Sequence, residues 1–213
     1  MHCSLKRCDC LRRLHRNGFF FYIIGITLLT LGIALSIQSS LGTSPLDALL
    51  VGLYRTFGLS IGSWEIVVGL SMIIGNAIIE RKKPEYFALI TSLFTGIGID
   101  MWMYFIGDWM IPSTWIGQSV YLTMGIVFTA MGVATYLQSN FAPNPFDRSM
   151  LVISKKTGWS IASSRVFISV TLVMIAYLFD GAIGIGTLIN ALLSGVIIKL
   201  FIPYVTIIKA KTE

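Results

Sequence analysis

The chain has 213 residues, 55% of them apolar and only 12% charged, with a formal net charge of +6 and a mean hydropathy of +0.79. Soluble domains carry about 25% charged residues, so a water-soluble core could not hide this much apolar surface, and the bilayer is the solvent these values imply. The basic excess sits in the N-terminal segment and the loops, where it reports membrane orientation, and no nucleic-acid-binding motif accompanies it.

Apolar runs of about 20 residues suit helices rather than ~10-residue strands. The expected fold class is therefore all-α, a polytopic transmembrane helical bundle, because only helices or a closed barrel can span a membrane. Residues 1–17 form a basic tail with Lys6, Arg7, Arg12, Arg13 and Arg16. This tail also holds all three cysteines, Cys3, Cys8 and Cys10, beside His2 and His15. Their spacing fits no standard zinc pattern, and they read as reduced thiols rather than as a metal or lipid site. No cleavable signal is evident, since the apolar run after Arg16 is too long for one and reads as a first span.

The first span is expected over 19–38 and a short helix over 45–57. A second span covers 61–79, a charged loop 80–85 and a third span 86–106. A loop with Asp108, Pro112 and two tryptophans leads to a fourth span over 117–138. A second short helix runs from 145 to 157, a fifth span covers 161–179 and a sixth 183–203, before a basic tail over 204–213. Trp64, Trp102, Trp109, Trp115 and Trp159 fit interfacial belts.

The chain repeats itself. Ser39-Ser40-Leu41-Gly42-Thr43-Ser44-Pro45-Leu46-Asp47 returns 100 residues later as Ser139-Asn140-Phe141-Ala142-Pro143-Asn144-Pro145-Phe146-Asp147. At the same offset Gly25, Gly32, Ala34, Gln38, Gly58, Ser60, Ile61 and Ser63 match Gly125, Gly132, Ala134, Gln138, Gly158, Ser160, Ile161 and Ser163. After a one-residue slip, Leu89–Gly96 matches Leu188–Gly195. Polar and special residues align as well as apolar ones, so this is a duplication, with repeats over 18–116 and 117–203.

The short helices have 13 residues, fewer than the ~20 a span needs. Charge agrees. With three spans per repeat and the N-terminus inside, fifteen of the 16 Lys and Arg fall on the inner side, with Arg55 outside. Three is odd, so the second repeat is expected to be inverted relative to the first, a recurring plan among transporters.

Ser44-Pro45-Leu46-Asp47 and Asn144-Pro145-Phe146-Asp147 read as helix starts. Ser or Asn caps free amides, proline at the first helical position loses no hydrogen bond, and an acid in the first turn suits the positive helix end. Six extended residues reach roughly 20 Å and a 13-residue helix returns about as far, so each segment can re-enter to the midplane. A helix lying at the interface is the competing reading, more so for the amphipathic second one. Two half-helix N-termini at a midplane can hold an anion or a polar solute. The expected solute-binding residues are Ser44, Asp47, Asn144 and Asp147, joined by Gln38 and Gln138.

Four further charges are paired across the repeats with opposite sign, Glu65 and Asp100 against Arg165 and Lys199. Charge inside a membrane usually faces a cavity, but all four lie toward span ends, where long side chains reach the interface. Gln38, Gln138, Asn76 and Asn190 also suit interhelical hydrogen bonds. No nucleophile–base pair or metal-binding helix motif is present, so neither an enzyme nor a cofactor or metal is expected.

Gly32 and Ala34 before the motif 38–47, with Gly58 and Ser60 after it, resemble the YczE-like and YitT-like bacterial integral membrane proteins over about residues 18–203. The resemblance implies a multi-pass inner-membrane protein. The second motif departs in having Ala142-Pro143 where the first has Gly42-Thr43. The leading expectation is a small-solute transporter or permease in the inner membrane, both termini cytoplasmic, with the lipid bilayer, an unidentified small solute and a second copy as partners. The alternative is an accessory or regulatory membrane protein that acts through a protein partner.

Overall fold

The computed structural model describes residues 2–107, 111–139, 141 and 143–212, with side chains from residue 18 to residue 210 of those. Trp109, Asp108, Asn140 and Ala142 of the sequence reading, and the side chains of the tail cysteines and histidines, lie outside the described residues. Among the described residues the chain forms eight helices and no strand. They are α1 (His2–Gln38), α2 (Pro45–Phe57), α3 (Ile61–Glu80), α4 (Tyr86–Ile106), α5 (Trp115–Leu137), α6 (Pro145–Thr157), α7 (Ile161–Leu178) and α8 (Ile185–Thr212). Six of these contain segments long and apolar enough to cross a membrane, the exceptions being α2 and α6.

The helix ends follow from side-chain chemistry. The Ser44 hydroxyl accepts from the Asp47 amide at the start of α2, and the Asn144 carboxamide accepts from the Phe146 amide at the start of α6. Each short helix has proline at its first position and closes on glycine, Gly58 at φ +78° and Gly158 at φ +76°. That left-handed backbone strains a residue with a Cβ. Ser60 and Ser160 then cap α3 and α7 by accepting from the Ser63 and Ser163 amides.

Two elements run further than the sequence suggests by more than two residues. α1 continues back through the basic segment to His2, and α8 continues past Pro203 to Thr212. Pro203 removes one backbone donor, yet the helix runs on, and the apolar pattern continues through Ile208.

α1 and α5 form the central pair. Their backbones touch: a Cβ added at Gly32 would lie 2.4 Å from the Thr129 nitrogen, and one at Gly132 would lie 2.3 Å from the Leu29 nitrogen. In lipid, where apolar burial gains little, such small-residue contacts supply the packing attraction between helices. α4 flanks α1 and α8 flanks α5, while each short helix reaches into the opposite half, α2 against α7 and α6 against α3. α2 is buried from Asp47 through Leu53 together with Pro45. Asn76 on α3 donates to the Ser149 hydroxyl on α6 at 3.0 Å, an interhelical bond of the kind its residue type suggests.

The two halves differ at one seam. α3 and α4 pack closely, with a Cβ at Gly62 falling 2.0 Å from the Gly96 carbonyl oxygen. Asp100 ties the seam, accepting from the Ser60 hydroxyl at 2.5 Å and from the Gly62 amide at 2.8 Å. α7 and α8, the corresponding pair, barely touch.

Candidate functional site

The N-termini of α2 and α6 meet. Ser44, Pro45, Leu46 and Asp47 line the same internal cavity as Asn144, Phe146 and Asp147. The cavity measures about 90 Å³. A water needs ~10–15 Å³ on this measure, so the space takes several waters or one small polar group. Leu29 and Ile33 of α1 and Val133 of α5 form its apolar wall, with Thr129 of α5 beside them. The wall lies toward the middle of both spanning segments, Gly18–Gln38 and Trp115–Leu137.

The polar contacts are specific. The Ser44 hydroxyl donates to the Asp47 carboxylate at 2.6 Å while accepting from its backbone amide at 3.3 Å, so cap and first-turn acid hold each other. The Asn144 side chain accepts from the Phe146 amide at 3.1 Å and donates to Glu65 at 3.4 Å. Asp147 accepts from the hydroxyl of Tyr136, which is buried near the end of α5. Arg165 on α7 donates to the Ser194 hydroxyl on α8 at 2.8 Å and is in no ion pair among the described residues.

Three carboxyl groups thus surround the cavity with one guanidinium. Asp47 is 5% exposed and Glu65 3% exposed. The two helix ends add roughly +0.5 elementary charge each. The site brings acidic and basic side chains together in a space largely shielded from bulk water. That suits a polar group bearing both an ammonium-like and an anionic end, each held by a partner, because unpaired buried charge is costly.

Four of the six residues expected from the sequence come together here, Ser44, Asp47, Asn144 and Asp147. Gln38 and Gln138 do not. Gln38 donates to the Gly107 carbonyl at 3.2 Å and Gln138 to the Thr206 hydroxyl at 3.1 Å, so both act as interhelical hydrogen-bond donors. They sit at the last turns of α1 and α5, beyond the short-helix starts, and their side chains point to α4 and α8 instead.

Glu65 and Arg165, weighed in the sequence as residues toward span ends, both line the cavity. Each lies about one turn inside its span, but a short helix from the opposite half covers it. Their 100-residue spacing and opposite sign were the available signal. Asp100 is a structural tie and Lys199 is exposed. Tyr136, Ser169, Asn190 and Ser194 also line the cavity, and only Asn190 had drawn notice, as a hydrogen-bonding residue. Among the described residues no group of three or more His, Cys, Asp or Glu could hold a metal ion.

Comparison with known proteins finds relatives over most of the chain. The chain is 42% identical over 187 residues to the Bacillus subtilis (strain 168) protein named uncharacterized protein YyaS, covering 88% of this chain and 93% of that one. It is 31% identical over 186 residues to uncharacterized membrane protein YczE of the same organism, covering 86% and 84%. An uncharacterized protein of Haemophilus influenzae is 24% identical over 182 residues, covering 84% and 81%. No solved structure matches significantly. Residues 16–203 match the family of unknown function DUF6198. The expected kinship with YczE is thereby established, and the chain is a membrane protein belonging to the DUF6198 family.

Proposed function

We propose that this protein is a permease for a small polar solute, with its binding site at the cavity between the starts of α2 and α6. The observation that carries the reading is the meeting of two duplicated, capped half-helix N-termini, Ser44–Asp47 and Asn144–Asp147, in one internal cavity. Half-helices ending at a midplane are a recurring means of holding polar cargo. The odd number of spans in each repeat supports an inverted relation between the repeats. Rocking one repeat against the other about the α1–α5 contact then exposes the cavity to each side in turn. The basic residues of the loops and tails support an inner-membrane orientation with both termini in the cytoplasm. On this reading the protein is not an enzyme, and Ser44, Asp47, Asn144 and Asp147 bind solute together with Glu65 and Arg165.

The test begins with purified protein and a set of small dipolar and cationic solutes, each scored for thermal stabilisation. A ligand at ~100 times its Kd stabilises by about 2.7 kcal/mol. The best stabiliser is then followed, as a radiolabelled solute, by counterflow in proteoliposomes. The expected result is counterflow that the Asp47→Asn, Asp147→Asn double variant abolishes and Gln38→Ala leaves intact. Absence of any stabilising solute, or undiminished counterflow in the double variant, overturns the reading in favour of a non-transporting role.

A further inference from the structure

The seam that differs between the two halves leads into the site. Gly62 and Gly96 bring α3 and α4 into backbone contact, and Asp100 bonds across them. At the equivalent positions α7 carries Ala162, and α8 carries Gly195 and Lys199. A Cβ cannot occupy the 2.0 Å approach made at Gly62, and a lysine ammonium cannot accept the bonds that Asp100 accepts. The second seam cannot close in the same way. A Cβ at Gly195 meets no backbone within 4 Å, and its nearest neighbour is the Arg165 guanidinium at 3.7 Å.

The result is a groove of about 400 Å³ between α7 and α8. Its walls are Val170, Val173, Met174, Ile183, Leu188 and Leu192, and Leu188 is 64% exposed on the outer surface of the helices. Pro45, Arg165, Ser169 and Ala191 line both this groove and the polar cavity, so the two spaces adjoin, parted by these four residues. Ligand sites commonly span ~300–1,000 Å³. The polar cavity alone is far smaller, while the groove adds apolar volume open to the lipid side. Arg165 stands at the junction, hydrogen-bonded to Ser194 and within electrostatic reach of Asp147.

The geometry points to a bilayer-borne, single-chain amphiphile as the occupant, its apolar chain in the α7–α8 groove, the anionic part of its head at the junction and its amine in the cavity. The anionic part of the head meets Arg165. Its amine meets the carboxyl groups of Asp47, Glu65 and Asp147. This inference rests on the permease reading for the identity of the site and adds a lateral way into it from the membrane.

The probe is lysophosphatidylethanolamine with a photoactivatable acyl chain, added in trace to phosphatidylcholine vesicles containing the full chain. After illumination, adducts are mapped by peptide mass spectrometry. The expected result is adducts concentrated on α7 and α8 groove residues, removed by excess unlabelled lysophosphatidylethanolamine and less so by lysophosphatidic acid, which lacks the amine. Leu188→Trp, at an exposed position that tolerates bulk, reduces groove adducts at least fivefold, as does Ala191→Trp at the junction. Arg165→Gln weakens competition by the unlabelled lipid. Adducts spread over all lipid-facing helices, or resistant to competition, overturn the inference. If they are spread while a water-soluble solute still shows counterflow, the lateral route fails and the permease reading stands. Localised, competable adducts without counterflow of any solute sustain the inference and sink the permease reading.

Discussion

Gly62→Ala tests the reason the two halves differ. The added Cβ lies 2.0 Å from the Gly96 carbonyl oxygen, whereas ordinary contact begins at 3.4 Å. The α3–α4 seam must open by about 1.4 Å, the difference of those two distances. Overpacking of this kind costs ~1–3 kcal/mol. Opening also stretches the Gly62 amide bond to Asp100, 2.8 Å long, and hydrogen bonds to charged groups contribute ~1.5–3 kcal/mol. Partial relief of both gives a cost of about 3 kcal/mol. For a chain of this size ~1 kcal/mol moves Tm by ~2–4 °C, so Tm falls by roughly 6–12 °C. The control is Ala162→Gly at the equivalent position of α7, where only helix propensity is lost, ~0.5–1 kcal/mol or roughly 1–4 °C. The assay is thermal denaturation of detergent-solubilised protein followed by tryptophan fluorescence, to which Trp64 beside the seam contributes. Equal shifts for the two variants, or a Gly62→Ala shift under 2 °C, would refute the reasoning.

Tyr136→Phe removes the hydroxyl that donates to Asp147 and leaves a carboxylate short of a partner inside the protein. A loss of ~1–3 kcal/mol is expected by thermal denaturation, together with weaker solute stabilisation. Arg148→Ala breaks the contacts to Glu80 at 3.3 Å and Glu85 at 2.5 Å. Because the pair lies near the surface, the loss stays near ~1 kcal/mol and shrinks when Tm is compared at 1 M salt. Gln38→Ala removes the bond to the Gly107 carbonyl and costs ~1 kcal/mol of stability, while the affinity measured by solute titration stays unchanged.

Helix limits were legible wherever polar punctuation marks them. The segments 45–57 and 145–157 read from the sequence are the helices observed, because Ser44, Pro45, Asn144, Pro145 and the glycines at 58 and 158 constrain the backbone locally. The extension of α8 beyond Pro203 was not legible, since a proline signals a stop in water and only a local defect in an apolar membrane helix. Side-chain direction was harder still. In a span that is apolar all round, no polar face tells which side turns inward. Glu65 and Arg165 therefore read as end residues although α6 and α2 cover them, and Gln38 and Gln138 immediately precede the repeated motif in sequence but face other helices. Tyr136 had no counterpart to mark it, because Ser36 occupies the equivalent place in the first repeat.

The most direct test of a solute-accessible cavity between the duplicated helix starts is thiol labelling in intact cells. Ser44→Cys, Asn144→Cys and Leu50→Cys are placed singly in a background with Cys3, Cys8 and Cys10 replaced by serine, and each is exposed to a membrane-impermeant maleimide. Leu50 is fully buried in α2 and serves as the sealed reference. The account predicts labelling at position 44 or 144 that a stabilising solute suppresses, with none at position 50. Failure of both 44 and 144 to react, or equal reaction at 50, would contradict it.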